Sequence, residues 1–365
     1  MALFRKKDPF GTGTPAKKPR GRARVILTGL LVTLIFGAIY FYLALPPINL
    51  HDPQFYVFVG LLCAVFCFCS LITSGMSMEE GTPQEYLSFI KKQCKIPLFI
   101  VIALVGVFVV GNVVSLPLLR ASAYRDLLTV EDGDFARDVA EVSFDEIPML
   151  DEVSARRLGD RKLGELADMV SQFEVSESYT QINYQSRPVR VASLMYGDFF
   201  KWFNNRSEGL PAYILIDMVT QEADVVRLSD MGLDGIRYSP SELFGRRLER
   251  HLRFSYPTFM FGESTFEIDE EGRPYWVCPK IEKTIGLFGG TDIRGAVLCN
   301  AITGESTYYD IADVPTWVDN VYTPGLIMEQ YDYHGTLVNG FLNSILGQRD
   351  VTITTDGYNY IALND

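Results

Sequence analysis

Three long runs of apolar residues dominate the first third of the chain. No charged residue occurs in 25–45, in 55–73 or in 97–119. An α-helix rises about 1.5 Å per residue, so about 20 residues cross the roughly 30 Å hydrocarbon core of a bilayer. Runs of this length are longer than ordinary buried helices or strands require. The pattern therefore predicts three transmembrane helices, which form a membrane anchor over residues 25–119.

The first of these runs contains a row of small residues. Gly29, Thr33 and Gly37 are spaced four residues apart, which places them along one face of a helix. Small residues let two helices approach closely within a membrane. The row is expected to pack against another span of the same chain, and a dimer contact is the alternative.

After residue 119 the pattern changes to short elements of mixed type. Helical spacing predicts helices over about 154–173 and from 239 through 252, and Thr323-Pro324 predicts the start of a third. Runs of β-prone residues, such as 212–216 and 225–228, lie between the helices. This order indicates α+β modules with antiparallel sheets.

Several short motifs recur in this region. Asp217-Met-Val-Thr-Gln-Glu-Ala223 matches Asn300-Ala-Ile-Thr-Gly-Glu-Ser306, and each is predicted to form the turn of a hairpin. Glu271-Gly-Arg-Pro-Tyr-Trp-Val-Cys278 has a looser copy at Gln185-Ser-Arg-Pro-Val-Arg-Val191, and a third copy begins at Asp356-Gly-Tyr-Asn-Tyr-Ile-Ala-Leu363. The third copy has a turn and one strand without a partner strand. We therefore expect the chain to be a truncated product of a longer protein.

The motifs and the apolar runs together predict five parts of the chain. They are a basic arm (1–24), the three-span anchor (25–119), a first α+β module (120–235), a second (236–320) and an incomplete third (321–365).

The charge distribution predicts the orientation of the anchor. The formal net charge of −12 divides into +6 for residues 1–119, with 11 basic and 5 acidic side chains, and −18 for the rest, with 22 and 40. Eight of the cations precede residue 25, none lies in 46–54, and Lys91, Lys92 and Lys95 precede the third span. Because basic loops stay in the cytoplasm, we expect a multi-pass protein of the cell membrane with a cytoplasmic amino terminus and an extracytoplasmic region after residue 119.

The basic arm resembles a nucleic-acid contact only in its charge. Lys and Arg clusters neutralise phosphates, but Phe10 is the single aromatic residue among the first 24 that could stack on a base. Next to a membrane helix, such an arm is expected to contact anionic lipid. The lipid bilayer is therefore the expected partner of this part, and nucleic acid is not.

One long segment carries a resemblance to a known type of module. The segment GRPYWVCPKIEKTIGLFGGTDIRGAVLCNAITGESTYYDI, together with the helix before it, resembles PepSY modules. In these a helix packs on a small antiparallel sheet that a "TGE" hairpin closes. PepSY modules are associated with peptidase inhibition or with regulation at the cell envelope, so the resemblance implies PepSY-like repeats and a possible envelope protein or peptide partner.

Nearly the whole chain is similar to a larger group of uncharacterised membrane-anchored proteins of Gram-positive bacteria. The segments that carry this similarity are LPAYILIDMVTQEADVVRL, YPTFMFGESTFEIDEEGRPYWV and VNGFLNSILGQRDVTITTDGYNYIAL. Members of the group continue beyond the point where this chain ends. The resemblance implies an extracytoplasmic region on a membrane anchor and no particular activity.

Local signatures of catalysis are missing from the sequence. The chain has three histidines and contains no H-E-x-x-H, G-x-S-x-G or G-x-x-x-x-G-K-[ST] motif, which argues against a zinc peptidase, a serine hydrolase and a nucleotide hydrolase. Its acidic runs lack the spacing of an EF-hand loop. We therefore predict no catalytic residue, metal or cofactor, and a non-enzymatic envelope protein that presents interaction or regulatory modules.

Two alternatives remain open for the function. One is an envelope hydrolase acting on peptide or glycan, for which Asp332, His334 and a carboxylate such as Asp319 would have to converge in a pocket. The other is an accessory subunit of a membrane complex.

Two cysteines flank the glycine-rich connection 286–290. In a simple antiparallel register, Cys278 and Cys299 would lie directly opposite each other. An oxidising location would permit a disulfide between them. The alternative is a pair of reduced thiols in an apolar core.

Overall fold

A computed structural model describes residues 22–74, 88, 92–138, 141, 143 and 147–355. Most of the predicted basic arm and the third motif copy, which starts at Asp356, lie outside the described residues. Of the described residues, those up to Ala44 and those from Tyr56 to Val107 form one compact unit. The second unit contains Leu45–Phe55 and the described residues from Phe108 onward.

Three helices confirm the predicted apolar spans. They are α1 (Arg22–Ala44), α2 (Pro53–Ser74) and α3 (Lys95–Val114). Their most apolar windows have mean hydropathies of 2.2, 2.6 and 2.7, and at most 17% of the residues in any of these windows are buried inside the protein. Long helices with apolar residues on their outer surfaces are what a lipid environment requires.

The small-residue row of α1 packs against α2. A Cβ atom added at Gly37 would lie 2.9 Å from Leu62, and one added at Gly29 would lie 3.0 Å from Ser70 and 3.1 Å from Phe66. Larger residues at these two positions would push the helices apart. The expected packing within the chain is therefore confirmed.

The third span ends earlier than the uncharged run. α3 stops at Val114 instead of continuing to Leu119, and Pro117 begins a separate helix, α4 (Pro117–Arg125). Leu116 has an extended backbone, with φ −66° and ψ 135°, as is favoured in the residue before a proline. Hydropathy does not register this break because Leu116 and Leu118 are as apolar as the span itself.

The region after α4 contains two five-stranded antiparallel sheets, which confirms the predicted α+β class. In the first sheet the order is β1-β3-β4-β5, and β2 also pairs with β3. In the second the order is β10-β9-β8-β6, and β7 also pairs with β8. The strands are β1 (Phe173–Val175), β2 (Thr180–Tyr184), β3 (Arg187–Tyr196), β4 (Ala212–Asp217), β5 (Ala223–Arg227), β6 (Met260–Phe261), β7 (Thr265–Ile268), β8 (Pro274–Ile285), β9 (Gly289–Asn300) and β10 (Ser306–Asp310).

Short helices connect and flank the sheets. The α-helices are α5 (Phe135–Asp138), α6 (Glu152–Gly164), α7 (Phe199–Asn205), α8 (Leu248–Ser255) and α9 (Pro324–Thr336). Single 3₁₀ turns occur at Leu228–Met231, Phe244–Arg246 and Ile311–Asp313, and a π turn at Asn343–Gly347.

Both hairpins predicted from the Asp217 and Asn300 motifs are present. β4 pairs with β5, and β9 pairs with β10. Asp217 Oδ1 accepts hydrogen bonds from two backbone N–H groups of its turn, at 2.8 Å each, and Asn300 Oδ1 accepts two in the same way, at 3.0 and 2.9 Å. The side chain thus replaces a backbone acceptor, as is typical of Asx turns.

Of the three helices predicted for the region after residue 119, two begin near the predicted residue. Asp151 caps α6 and Thr323 caps α9 near the expected positions, although α6 ends at Gly164 instead of extending to residue 173. The helix predicted from Ser239 is wrong, because α8 begins only at Leu248. Ser239 instead accepts a hydrogen bond from the Leu248 N–H and forms a bridge with Arg247.

One hydrophobic core includes residues of both sheets. Val191 and Ile214 of the first sheet and Phe266 and Cys278 of the second belong to the same buried cluster, and each is at most 2% exposed. The Tyr213 hydroxyl adds a polar link by donating to the Gly272 carbonyl at 3.0 Å. The two sheets therefore stabilise each other through shared apolar burial.

The segment between α1 and α2 is integrated into the α+β region by a buried arginine. Arg253, in α8, is 8% exposed. Its guanidinium donates to the carbonyls of Leu45 (3.0 Å) and Phe259 (2.6 Å) and to two further carbonyls of its own loop. The Ile48 N–H donates to the Pro257 carbonyl at 2.8 Å. Burial lowers the pKa of Arg253, and the carbonyl dipoles replace the water that its charge has lost.

We predict that Arg253→Met lowers the free energy of unfolding by about 2–4 kcal/mol, because several buried carbonyls lose their donor. The measurement is chemical unfolding of the purified protein in detergent, followed by tryptophan fluorescence. Arg294→Met is the control, since that side chain is 57% exposed and pairs with Glu282 at the surface. A change within about 0.5 kcal/mol is expected for the control. Equal effects of the two substitutions would contradict this role of Arg253.

Candidate functional site

Four phenylalanines form an exposed cluster beside the first sheet. They are Phe199, Phe200 and Phe203 of α7 and Phe244 of the 3₁₀ turn Phe244–Arg246, and each is between 52% and 75% exposed. Asp198 starts α7 by accepting hydrogen bonds from the N–H groups of Phe200 and Lys201. Contiguous exposed apolar surface of this kind is typical of interaction sites.

Three of these rings, those of Phe199, Phe203 and Phe244, border a groove with a volume of about 780 Å³. We call it the aromatic groove and define it by Phe199, Trp202, Phe203, Arg206, Phe244 and Arg246. On α7 the spacing i, i+3, i+4 and i+7 places the first four of these residues on one face of the helix and its end. The 3₁₀ turn supplies the other two residues.

The backbone of Phe244 is held in an unusual conformation at the edge of this groove. Its φ of 52° lies in the left-handed region, which a bulky side chain rarely adopts. Arg250, which is 7% exposed, donates to the Phe244 carbonyl at 2.8 Å and stabilises the turn. Local strain of this kind is often found at binding sites.

A buried carboxylate orients the tryptophan of the groove. Glu242 is completely buried and accepts hydrogen bonds from the Tyr196 hydroxyl and from Trp202 Nε1, both at 2.8 Å. Burial raises the pKa of Tyr196, and the adjacent Glu242 charge adds to the effect. Glu242 lies in the segment 239–252, for which the sequence pattern predicted a helix. These buried donors instead place it beneath the groove.

Two arginines give one end of the groove a positive charge. The guanidinium of Arg206 lies 3.8 Å from the ring centroid of Phe203 and 5.5 Å from that of Trp202. Arg246 donates to the Arg206 carbonyl at 2.8 Å. Within the described part of the chain neither arginine forms an ion pair. The groove therefore combines aromatic walls with cations that carry no bound carboxylate.

The three residues considered for a hydrolase lie in separate hydrogen-bond networks. Asp332 accepts from the N–H and hydroxyl of Thr354, at 2.7 and 3.2 Å. His334 Nδ1 lies 3.1 Å from the Arg125 carbonyl. Asp319 accepts from the Asn183 N–H at 2.7 Å. Each of these hydrogen bonds therefore joins a different pair of chain segments.

Asp319 is instead close to a buried carboxylate that the sequence pattern does not distinguish. Glu267 is 0% exposed, and its carboxylate accepts from the backbone N–H groups of Asp319 (2.9 Å) and Asn320 (3.1 Å) and from the Thr265 hydroxyl (3.1 Å). Burial raises the pKa of Glu267 to about 7, against the opposing effect of these donors. Glu267 therefore titrates near neutral pH while holding the segment before α9.

We predict that stability contributed at Glu267 is lost as pH rises. Below about pH 4.5 the carboxyl is protonated in both the folded and the unfolded protein. Between about pH 4.5 and 7 it stays protonated in the folded protein but loses its proton in the unfolded protein, so the folded state loses stability as pH rises. The free energy of unfolding should therefore fall by roughly 2–3 kcal/mol more between pH 5 and pH 8 in the native protein than in Glu267→Gln.

The measurement is denaturant unfolding at both pH values. Glu305→Gln serves as the control because Glu305 is exposed, and it should keep the pH dependence of the native protein. An unchanged pH dependence in Glu267→Gln would refute the assignment.

The predicted direct opposition of Cys278 and Cys299 is wrong. Cys278 pairs with Val297 and Cys299 with Trp276, because the β8–β9 connection is centred nearer to Leu287 than a symmetric count gives. The ladder also has an irregularity between Lys280 and Ile281. The two cysteines lie diagonally on one face of the sheet, and both are buried free thiols in the shared core.

Both thiols are expected to resist alkylation in the folded protein. Each is 0% exposed, and burial raises the pKa of both, that of Cys299 to about 11. Mass spectrometry after iodoacetamide treatment should show neither residue labelled when native and both labelled after unfolding without reductant. Labelling that requires a reductant as well as unfolding would demonstrate the disulfide instead.

Comparisons with protein-family models, with curated proteins and with solved structures give no match to this chain.

The aromatic groove was not predicted from the sequence, although one signal was available. Asp198 is followed by Phe-Phe-Lys-Trp-Phe, in which four of five residues are aromatic. The capping residue predicts a short helix here. A short helix with so many aromatic residues has more apolar surface than one buried face can cover, so some of its rings are expected to be exposed.

Proposed function

We propose that this protein is a non-enzymatic, membrane-anchored interaction protein whose α+β region binds a polypeptide partner through the aromatic groove. The three apolar helices support the anchor. The cation distribution favours an extracytoplasmic location for the α+β region. The resemblance to membrane-anchored proteins of Gram-positive bacteria favours the cell envelope of such a bacterium. The resemblance to PepSY modules favours a regulatory or peptidase-inhibiting role among interaction functions.

The single observation that carries this proposal is the exposure of three phenylalanine rings, those of Phe199, Phe203 and Phe244, around one groove. Burying a phenylalanine side chain contributes about 1.5–3 kcal/mol, so leaving several of them in water forgoes substantial stability. Aromatic residues that line a concave surface are the usual anchors of protein interfaces. A partner that covers the groove would recover this apolar burial.

The charges of the groove indicate which polypeptide would fit. Arg206 and Arg246 favour a carboxylate beside the aromatic walls, and a guanidinium binds a carboxylate through paired hydrogen bonds. The region after residue 119 carries a net charge of −18, which repels long acidic segments. The partner segment is therefore an apolar peptide with one carboxylate, such as an apolar carboxyl terminus, and not an acidic tract.

This function is tested by selecting from a pooled library of synthetic nonapeptides on the full-length protein in lipid nanodiscs. Peptides rich in aromatic and aliphatic residues that end in a free carboxylate should be enriched. For a selected peptide, Phe203→Ala and Arg206→Gln should each weaken binding by about 10-fold or more. Amidation of the peptide's carboxyl terminus should lower its affinity for the native protein but leave its affinity for Arg206→Gln unchanged.

Phe135→Ala is the matched control, because Phe135 is 80% exposed and does not line the groove. It should leave binding unchanged. Equal loss of binding in Phe135→Ala and Phe203→Ala would show that exposed aromatic surface binds peptides nonspecifically, and this would refute the proposal.

A further inference from the structure

A second, smaller cavity lies between the β8–β9 hairpin, α4 and α9. Its volume is about 150 Å³. In contrast to the aromatic groove, much of its lining is polar. The residues that matter for its chemistry are Tyr124, Lys283, Thr291, Glu329, Gln330 and Tyr333.

The donor of this cavity is Lys283 of β8. Its Nζ donates to the Thr291 hydroxyl at 2.7 Å, and an ammonium group has two further N–H bonds. Burial lowers the pKa of Lys283, whereas the charges of Glu329 and Asp52 act in the opposite direction. Lys283 forms no ion pair with any carboxylate of the described residues.

The acceptors of the cavity are on α9. Glu329 Oε1 accepts from the Tyr333 hydroxyl at 3.2 Å, which leaves the rest of the carboxylate available. Gln330 is 3% exposed, and its Nε2 donates to the Thr291 carbonyl at 2.8 Å. The Gln330 side chain also has an amide oxygen, which is an acceptor, and the residue lines the cavity.

Opposite charges thus line one cavity without forming a direct ion pair. A single anion would pair only with Lys283, and a single cation would pair only with Glu329. A small ligand that carries both charges satisfies both groups at once. Lys283, which is partly buried, gains more from such a partner than the exposed Glu329 does.

We propose that this cavity binds a zwitterionic α-amino acid with a small side chain. The ligand carboxylate accepts hydrogen bonds from Lys283, and its ammonium group donates to Glu329 and to the amide oxygen of Gln330. A cavity of about 150 Å³ can hold benzene, which has six non-hydrogen atoms. Glycine, alanine and serine, with roughly five to seven, match this size. Larger amino acids would exceed it.

The surroundings of the cavity connect it to the end of α3. The Tyr124 ring packs on that of Tyr333 with centroids 4.9 Å apart, and the Tyr124 hydroxyl donates to the Ser115 carbonyl at 2.6 Å. The Ser115 hydroxyl in turn accepts from the N–H groups of Leu287 and Phe288 at the hairpin tip. A bound ligand would therefore stabilise the hairpin, α4 and α9 together.

The test measures binding of glycine, L-alanine and L-serine to the full-length protein in detergent, by isothermal titration calorimetry and by the shift in Tm. At least one amino acid should bind and raise Tm. Acetate and methylamine each carry only one of the two charges. The affinity of each should be at least about 10-fold lower than that of the amino acid. Lys283→Met and Glu329→Gln should each reduce the affinity by about 10-fold or more.

Lys280→Met is the matched control, since Lys280 lies on the same strand, outside the cavity, with its Nζ 4.6 Å from the ring of Phe259. It should bind the amino acid as the native protein does. Glu329 is exposed, so Glu329→Gln is expected to fold, and its Tm without ligand verifies this. The proposal is overturned if none of the three amino acids binds at about 10 mM, if acetate binds as tightly as they do, or if Glu329→Gln binds them unchanged.

Discussion

The β8–β9 hairpin is the element on which the rest of the α+β region depends. Its strands are each 12 residues long. Away from the tip, Cys278 and Val297 contribute to the core that the two sheets share. Its tip is held by Ser115, which is 6% exposed and lies directly after α3. His51 Nδ1 also lies 2.8 Å from the Leu287 carbonyl at this tip. The hairpin therefore links the sheet core to the segments that follow α3 and precede α2.

Buried polar groups determine how the connecting segments are arranged. Arg253, Glu242 and Glu267 are all nearly or completely buried, and each is surrounded by several hydrogen-bond partners. A buried charge without such partners would cost several kcal/mol, so each of these groups constrains the segments that supply its partners. Arg253 constrains the segment before α2, Glu242 constrains α7, and Glu267 constrains the segment before α9.

The aromatic groove and the polar cavity differ in the physical basis of recognition. The groove is large and its walls are apolar, so a ligand gains affinity there mainly by removing aromatic surface from water. The cavity beside Lys283 is small and polar, so recognition there depends on matching charges and hydrogen bonds. The groove adjoins α7, whereas the cavity adjoins the hairpin tip and α4. The proposed peptide and amino-acid ligands therefore contact different elements.

The local sequence pattern was sufficient to predict those elements that are determined by residues close together in the chain. Uninterrupted apolar runs identified the three spanning helices, and the Asp217 and Asn300 turns identified two hairpins, because each signal is complete within a short segment. The Ser239 motif failed although it has a capping pattern. Its Glu242 gains more from buried Tyr196 and Trp202 than from an exposed helix end.

The sequence by itself thus determined the spanning helices, the antiparallel α+β class and the charge asymmetry. Only the tertiary structure decided the register of Cys278 and Cys299, the burial of Glu267 and the convergence of Lys283 with Glu329. Lys283 and Glu329 are separated by 45 intervening residues, and no local pattern encodes their approach. Their positions depend on packing between distant segments, since the free energy of apolar burial and the pairing of buried polar groups are properties of the whole fold.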